Sequence, residues 1–302
     1  MKATSGQLQR PRKLPKQIPY SDTDENKAPR VHALSAFVFI ESHYNARSTR
    51  QPHFSNDTDL MKLSNRLQTL HSLVSNNYQH IWDCCCDHGF LGVQLLADNK
   101  APHIHFVDIV PSLMSELESK LVRYFPQSEM AQQKVTSQWQ VYCMDVSAIP
   151  LEKHTGKHLV IIAGVGGDLT QKLVDDIHRQ HPDKTIDFLL CPVHQQFELR
   201  SHLKSLKFGL IDEVLIEENR RYYEILLVSN NRGERVDAST VSEISNVGDK
   251  IWTPISDEQI KVSQQYKAKT LQHYLRIHQG QEKQGKPSQV KHVIDAYQAV
   301  KP

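Results

Sequence analysis

The chain has 302 residues, with 36 Lys and Arg against 34 Asp and Glu, and its 12 glycines and five cysteines exclude a collagen-like or disulfide-scaffold protein. The longest apolar run near the N-terminus, Leu34 to Ile40, falls far short of the ~20 residues of a membrane span and follows no secretory signal, so a cytoplasmic protein with no membrane partner is expected. The net charge of +2 hides an asymmetry of +4 over residues 1–57, −6 over 58–250 and +4 over 251–302, which suits either basic ends that meet a polyanion beside an acidic body that holds a cationic ligand, or ends that are simply solvated.

Residues 1–57 carry five prolines and one apolar patch, Ala33 to Ile40, and read as a disordered basic arm. From residue 58 the pattern changes: Leu60, Leu63, Leu67, Leu70 and Val74 recur at helical spacing. Short apolar runs then alternate with amphipathic stretches. The predicted strands are Ile81 to Cys84, Ile104 to Asp108, Trp139 to Met144, Leu159 to Ala163 and Ile186 to Cys191. The predicted helices start near Leu91 and span Pro111 to Phe125, Leu169 to Arg179 and Gln195 to Leu206. This alternation predicts a parallel sheet covered on both faces. Leu210 to Glu217 and Tyr222 to Val228, separated by Glu218-Asn219-Arg220-Arg221, read as an antiparallel hairpin that ends the domain near residue 230. A polar linker is expected over 231–253. Ser256 then opens a helix as N-cap with Gln259 at N3, and a break at Gly285-Lys286-Pro287 makes residues 254–302 a helical hairpin.

The most informative stretch is Asp83-Cys84-Cys85-Cys86-Asp87-His88-Gly89-Phe90-Leu91, a strand end, a tight turn and a helix start, with Asp108 closing the next strand 25 residues after Asp83. That order is how a doubly wound α/β domain receives a nucleoside cofactor: backbone N–H groups converge at a helix N-terminus and the second acid accepts from ribose hydroxyls. Asp83 is a candidate for the cofactor's amino group, with a helix or turn cap as the alternative. Asp108, with Ile109 beside it, is the ribose candidate, with a cap on the Pro111 helix as the alternative, and Asp145 is suited to accept from an exocyclic amine. Gly164, Gly166 and Gly167 follow the fourth strand, where glycine permits close approach and positive φ. No CxxC pair occurs and no His-x-x-x-His spacing supports a metal site at the thiol edge, so the cysteines read as small buried thiols and no metal ligand is assigned.

Four segments together resemble the bacterial tRNA (adenine(22)-N1)-methyltransferase family, within the class I S-adenosylmethionine-dependent methyltransferases. They are Leu63-Ser64-Asn65-Arg66-Leu67, the Asp83 to Leu91 turn, Ile162-Ala163-Gly164-Val165-Gly166-Gly167, and Phe208-Gly209 through Tyr223-Glu224-Ile225. The family shows an LSxRL helix, a D-x-G-x-D-H-[AG]-[YF]-L turn, an IAGMGG turn and a hairpin ending in YE at these places. The resemblance implies a Rossmann-like methyltransferase sheet with a terminal antiparallel hairpin and a C-terminal coiled-coil-like appendage. It implies S-adenosyl-L-methionine as cofactor, held through Asp83, Cys85, Gly89, Asp108, Ile109, Asp145, Gly164, Gly166 and Gly167, and tRNA as partner, held in part by Arg66, Arg220 and Arg221. Asp87 and His88 are candidates for favouring the positive charge that develops on the methylated base. The chain departs from the pattern at Cys85, where the family has glycine, and at Cys191-Pro192-Val193-His194, where a Gln-Pro-Asn-like turn is expected, so that the asparagine is either missing, with Val193 in the turn, or replaced by His194. A cofactor- or RNA-binding protein without turnover therefore stays open as the alternative. A nicotinamide oxidoreductase is disfavoured by the missing GxGxxG and by the hairpin.

Overall fold

The computed structural model describes residues 63–127, 137–231, 241–253 and 256–301. The expected basic arm at 1–57 lies outside them. Helix α1 (Asn65–Leu73) leads to β1 (His80–Cys84), α2 (Phe90–Ala97), β2 (His103–Asp108), α3 (Pro111–Tyr124) and β3 (Gln138–Cys143). Two 3-10 turns, Val146–Ala148 and Leu151–Lys153, precede β4 (His158–Ala163), α4 (Gly167–Gln180), β5 (Ile186–Cys191) and α5 (Gln196–Ser205). The chain continues through β6 (Gly209–Glu218), β7 (Arg221–Ser229), a short β8 (Ser242–Glu243), α6 (Asp257–Lys283) and α7 (Lys291–Ala299).

The strands form one sheet in the order β3-β2-β1-β4-β5-β7-β6-β8. Strands β1 to β5 are parallel, with His80 in register with both His103 and His158. Strand β7 runs antiparallel to β5 and to β6, so β6 points the same way as the parallel set and the β6–β7 tip lies at the carboxyl edge. This is the doubly wound sheet with a terminal antiparallel hairpin expected from the sequence. Asn219 and Arg220 both have positive φ, 52° and 62°, the signature of a two-residue turn whose twist matches that of the strands it joins.

Residues alternate strictly between the sheet's two faces. Ile81, Ile104, Phe106, Leu159 and Ile161 pack with Leu70, Leu95, Leu117 and Leu121 of α1, α2 and α3. Trp82, Val107, Val160, Ile162 and Phe188 pack with Leu173, Val174 and Ile177 of α4 and with Leu199 and Leu203 of α5. Period-two burial against helices on both sides explains why these strands read as continuous apolar runs.

Residues 241–253, expected as part of a linker, instead pack tightly. β8 pairs with β6, Ile244 is buried, and Ile251 and Trp252 join Phe197 of α5, Tyr266 of α6, and Val293 and Tyr297 of α7 in a third apolar cluster. Indole and phenol rings bury too much apolar area to stay in solvent once a neighbouring face offers cover. Beneath that cluster the fully buried Arg200 guanidinium meets Glu224 at 2.5 Å and Glu213 at 2.7 Å. The Tyr266 hydroxyl donates to Glu224, and Glu213 accepts from the backbone N–H groups of Asp249 and Lys250. The C-terminal helices thus close over a buried ionic cluster of the α/β body. Ser256 caps α6 as expected, accepting from Gln259 N–H at 3.3 Å.

Candidate cofactor and substrate site at the carboxyl edge

The parallel strands end on one edge of the sheet, and the candidate residues follow there. The β1–α2 turn is held by Asp108, whose carboxylate accepts from Asp87 N–H and from Val110 N–H, both at 3.1 Å. One carboxylate thereby ties the first turn to the end of β2, and its remaining lone pairs are free for a hydroxyl. Cys85 and Asp87 hold φ of 54° and 52°, a region that disfavours side chains with a Cβ. Cys85 occupies the position where the resembling family has glycine, and its backbone conformation supplies the reason. Gly89, at the N-cap of α2, has φ 71°, and a Cβ there would lie 2.7 Å from Leu117.

Asp83 sits lower than expected. It is 4% exposed, and its Oδ2 accepts from Gly92 N–H at 2.8 Å, capping α2 from inside. Burial pushes its carboxyl up to about 7, with Gly92 N–H opposing and the charge of Asp108 adding to the rise. The capping alternative is therefore what the geometry displays, and the contact that shapes the turn is indirect. Asp145 likewise accepts from Ser147 N–H at 2.8 Å while remaining exposed at the end of β3.

The glycine turn after β4 has two different explanations. Gly164 has φ 86°, and the nearest atom to a Cβ would be Nη1 of Arg66 at 3.6 Å, leaving open space beside the strand end. Gly166 and Gly167 have ordinary backbone but no room: a Cβ would come within 2.5 Å of the His194 ring and 2.7 Å of the His194 carbonyl respectively. The β4 and β5 turns interlock further through Gly167 N–H to His194 O at 3.1 Å and Val193 N–H to Val165 O at 2.9 Å. His194 is thus brought over the glycine turn.

Arg66 reaches this edge from α1, with its guanidinium 5.1 Å from the centre of the Tyr223 ring and its backbone N–H donating to Glu218 at 2.9 Å. Arg220 and Arg221 lie at the hairpin tip on the same edge, where Lys269 of α6 donates to the Arg220 carbonyl at 3.2 Å. Asp87 is exposed and His88 half-buried on the turn, 3.7 Å apart, and the His88 ring stacks with Phe90 at 5.5 Å. Four large apolar side chains stand exposed in the same set of turns and helix starts: Phe90, Leu169, Val193 and, at 68% exposure, Ile109. Only Ile109 was singled out from sequence as a contact. Phe90 and Leu169 were missed because at helix starts they read as ordinary core positions.

Cys84, Cys85, Cys86 and Cys191 are neutral packing groups. Burial, and then the charge of Asp108, pushes Cys85 up to about 12, and burial raises Cys84 and Cys86 as well. Cys143 is exposed rather than buried as expected, and all five thiols are free.

A sheet of this order, with acids and a glycine turn at the strand ends, defines an α/β domain that holds a ligand across its carboxyl edge. The family described as "Methyltransferase domain" matches residues 63–226, more than half of the chain, and the chain belongs to that family. Three solved structures share its fold. TrmK of M. capricolum, solved with S-adenosyl-homocysteine, is 17% identical, with a TM-score of 0.55 over 78% of this chain and 96% of that one. The B. subtilis M1A22 tRNA methyltransferase TrmK is 20% identical, with a TM-score of 0.52 over 78% and 94%. Sp1610 of Streptococcus pneumoniae, solved with S-adenosyl-L-methionine, is 16% identical, with a TM-score of 0.57 over 78% and 98%. No curated protein sequence matches the chain. Among the described residues, no helix is long and apolar enough to cross a membrane.

Proposed function

We propose that this methyltransferase uses S-adenosyl-L-methionine to methylate N1 of an adenine in tRNA, at position 22 of the D-loop region, in the cytoplasm. The observation that carries the reading is the crowding of Asp108, Asp145, the open turn at Gly164 and the exposed Ile109 onto one sheet edge, with Arg66, Arg220 and Arg221 beside them. The likeness of the whole fold to the TrmK structures supports the choice of substrate. The donor set fits the cofactor: carboxylates at successive strand ends suit ribose hydroxyls and an exocyclic amine, Ile109 offers an apolar face to a nucleobase, and Gly164 leaves space where a Cβ would stand.

When bound, S-adenosylmethionine supplies a methyl group on a sulfonium; the sulfur keeps the bonding pair as the adenine N1 lone pair forms the new bond. Neutral adenine already has that lone pair, so the residues of this chain need not remove a proton. Their work is to orient the base and exclude water. His194 over Gly166 is assigned to hold the target base in place of the family's asparagine. Asp87 and His88 are assigned to favour the positive charge that the base acquires. Arg66, Arg220 and Arg221 are assigned to the RNA backbone, a contact that falls off with salt and carries no base preference. Asp83 acts on the cofactor through the turn it caps.

Radiolabel transfer from S-adenosylmethionine to bulk tRNA tests the reading, with transfer expected. Cofactor binding without transfer would favour the alternative of a binding protein that has lost turnover.

A further inference from the structure

At the opposite, amino edge of the sheet, histidines replace acids. His80, His103 and His158 open β1, β2 and β4, and the parallel register sets His80 directly between the other two. His105, one turn of the pleat further along β2, and His154, in the loop before β4, complete the group. The rings stack: His80 lies 4.7 Å from His103, 5.3 Å from His105, 4.8 Å from His154 and 5.0 Å from His158. A cavity of about 780 Å³ opens on this edge, lined by His80, His105 and His154 together with Glu118, Gln138 and Lys153.

We propose that His80, His105 and His154 form a binding site for a divalent transition-metal ion of the zinc class, separate from the methyl-transfer site. One ring nitrogen from each of the three lies within 4.8 Å of the others. Zn–N bonds of about 2.0–2.1 Å in a tetrahedron set N···N separations of about 3.3–3.4 Å. His80 Nδ1 and His105 Nε2 stand 3.0 Å apart, so that pair is already near the required spacing. His154, on a loop and only partly buried, has the freedom to close the remaining ångström or so.

The tautomer of His80 fits the same assignment. His80 Nε2 lies 3.1 Å from the Thr155 carbonyl, which can only accept, so the His80 proton is on Nε2 and Nδ1 carries a lone pair. A ligating imidazole held by a backbone carbonyl through its other nitrogen is the arrangement that orients metal-binding histidines. His105 Nε2 must then donate to His80 Nδ1, which leaves His105 Nδ1 as a buried nitrogen with no partner. A metal ion takes the place of the shared proton while the His105 proton passes to Nδ1, so binding needs no net proton release at neutral pH.

The donor set names the class of ion. Three imidazoles without a thiolate or carboxylate suit zinc, copper or nickel and not magnesium or calcium. Three protein ligands leave a fourth position for water, facing the cavity. The packing-only reading, a stack of uncharged rings over Trp82, does account for His158, whose Nδ1 accepts from Trp82 Nε1–H at 3.2 Å.

The test uses the full-length, untagged protein stripped with chelator, titrated with ZnCl2 by calorimetry and with Co2+ by visible absorption. Binding of about one zinc per chain, tetrahedral cobalt bands and a raised Tm are expected. His154→Ala, at the least buried ligand, should weaken zinc binding by about tenfold or more while leaving the metal-free Tm and S-adenosylmethionine affinity unchanged. A wild-type chain that binds well under a tenth of an equivalent, or a His154→Ala protein that binds zinc as tightly as wild type, would overturn the proposal.

Discussion

At the carboxyl ends of β1, β2 and β4 the chain places Asp83, Asp108 and Gly164, followed by turns whose backbone enters the left-handed region at Cys85, Asp87 and Gly89. At the amino ends of the same three strands it places His80, His103 and His158, their rings stacked, with burial lowering His80 and His158. One edge presents acids and exposed apolar side chains to a ligand; the other presents nitrogen lone pairs. Five or six residues of extended chain, roughly 16–20 Å, separate them. The difference shows how a parallel sheet keeps two chemistries apart: strand direction puts every turn of one kind on one edge, and register gathers residues far apart in sequence on the other.

If the edges are independent, a change that strikes the common framework must weaken both. Arg200→Ala leaves Glu213 and Glu224 buried without their cation and should cost about 3–5 kcal/mol in urea unfolding. A loss under about 1 kcal/mol would mean that the ionic cluster does not join the body to its C-terminal helices. For the same reason, removing residues 251–302 should unfold the chain rather than merely release RNA, because it strips Trp252, Tyr266 and Tyr297 from the cluster.

Asp108→Ala should strike one edge alone. Losing a hydrogen bond to a partly buried carboxylate costs about 1.5–3 kcal/mol, so S-adenosylmethionine binding should weaken about tenfold or more by calorimetry. Stability should fall by only about 1 kcal/mol, from the two N–H groups the carboxylate now holds. Unchanged affinity in the folded variant would remove Asp108 from the cofactor site.

Acidification should act chiefly through the other edge. His80, His105 and His158 are held at about 4, 2 and 3, below the 6.5 of an unfolded chain, so the unfolded state takes up more protons below pH 6.5 and stability falls as pH drops. Asp83, raised to about 7 from 3.8, works the other way between those two values, since the folded chain then holds the extra proton. Three imidazoles outweigh one carboxyl, and Tm at pH 5 should lie below Tm at pH 7.5. A Tm that is flat or higher at pH 5 would show that the histidines are charged in the fold.

The smallest effect is expected at Cys85. Glycine relieves a left-handed cost of about 1–2 kcal/mol and adds about 0.5–1 kcal/mol of chain entropy, so Cys85→Gly should leave stability unchanged or raise it by up to about 1 kcal/mol, with cofactor binding kept or improved. Abolished binding in a folded variant would give the cysteine a role of its own.

The two edges were not equally legible in the sequence. The carboxyl edge could be read because its turn is contiguous: Asp83 to Leu91 carries strand end, bend and helix start in nine residues. Even so, periodicity could not say that Asp83 faces inward onto Gly92, since a strand-end acid reads the same whether it caps a helix or meets a ligand. The histidine group is scattered over His80, the pair His103 and His105, and the pair His154 and His158, and no spacing in the sequence joins the three places. The signal was a histidine at the first residue of three strands, and it acquires meaning only once the register is known. Arg200, Glu213 and Glu224 were hidden for a similar reason: each lies on an amphipathic element where a charge reads as solvated.

Nucleoside mass spectrometry of unmodified tRNA incubated with the protein and methyl-labelled S-adenosylmethionine tests the central claim most directly. The account predicts labelled N1-methyladenosine at position 22, reduced with Asp108→Ala at limiting cofactor and retained with Cys85→Gly. Label in a different nucleoside, or none from a protein that binds the cofactor, would contradict it.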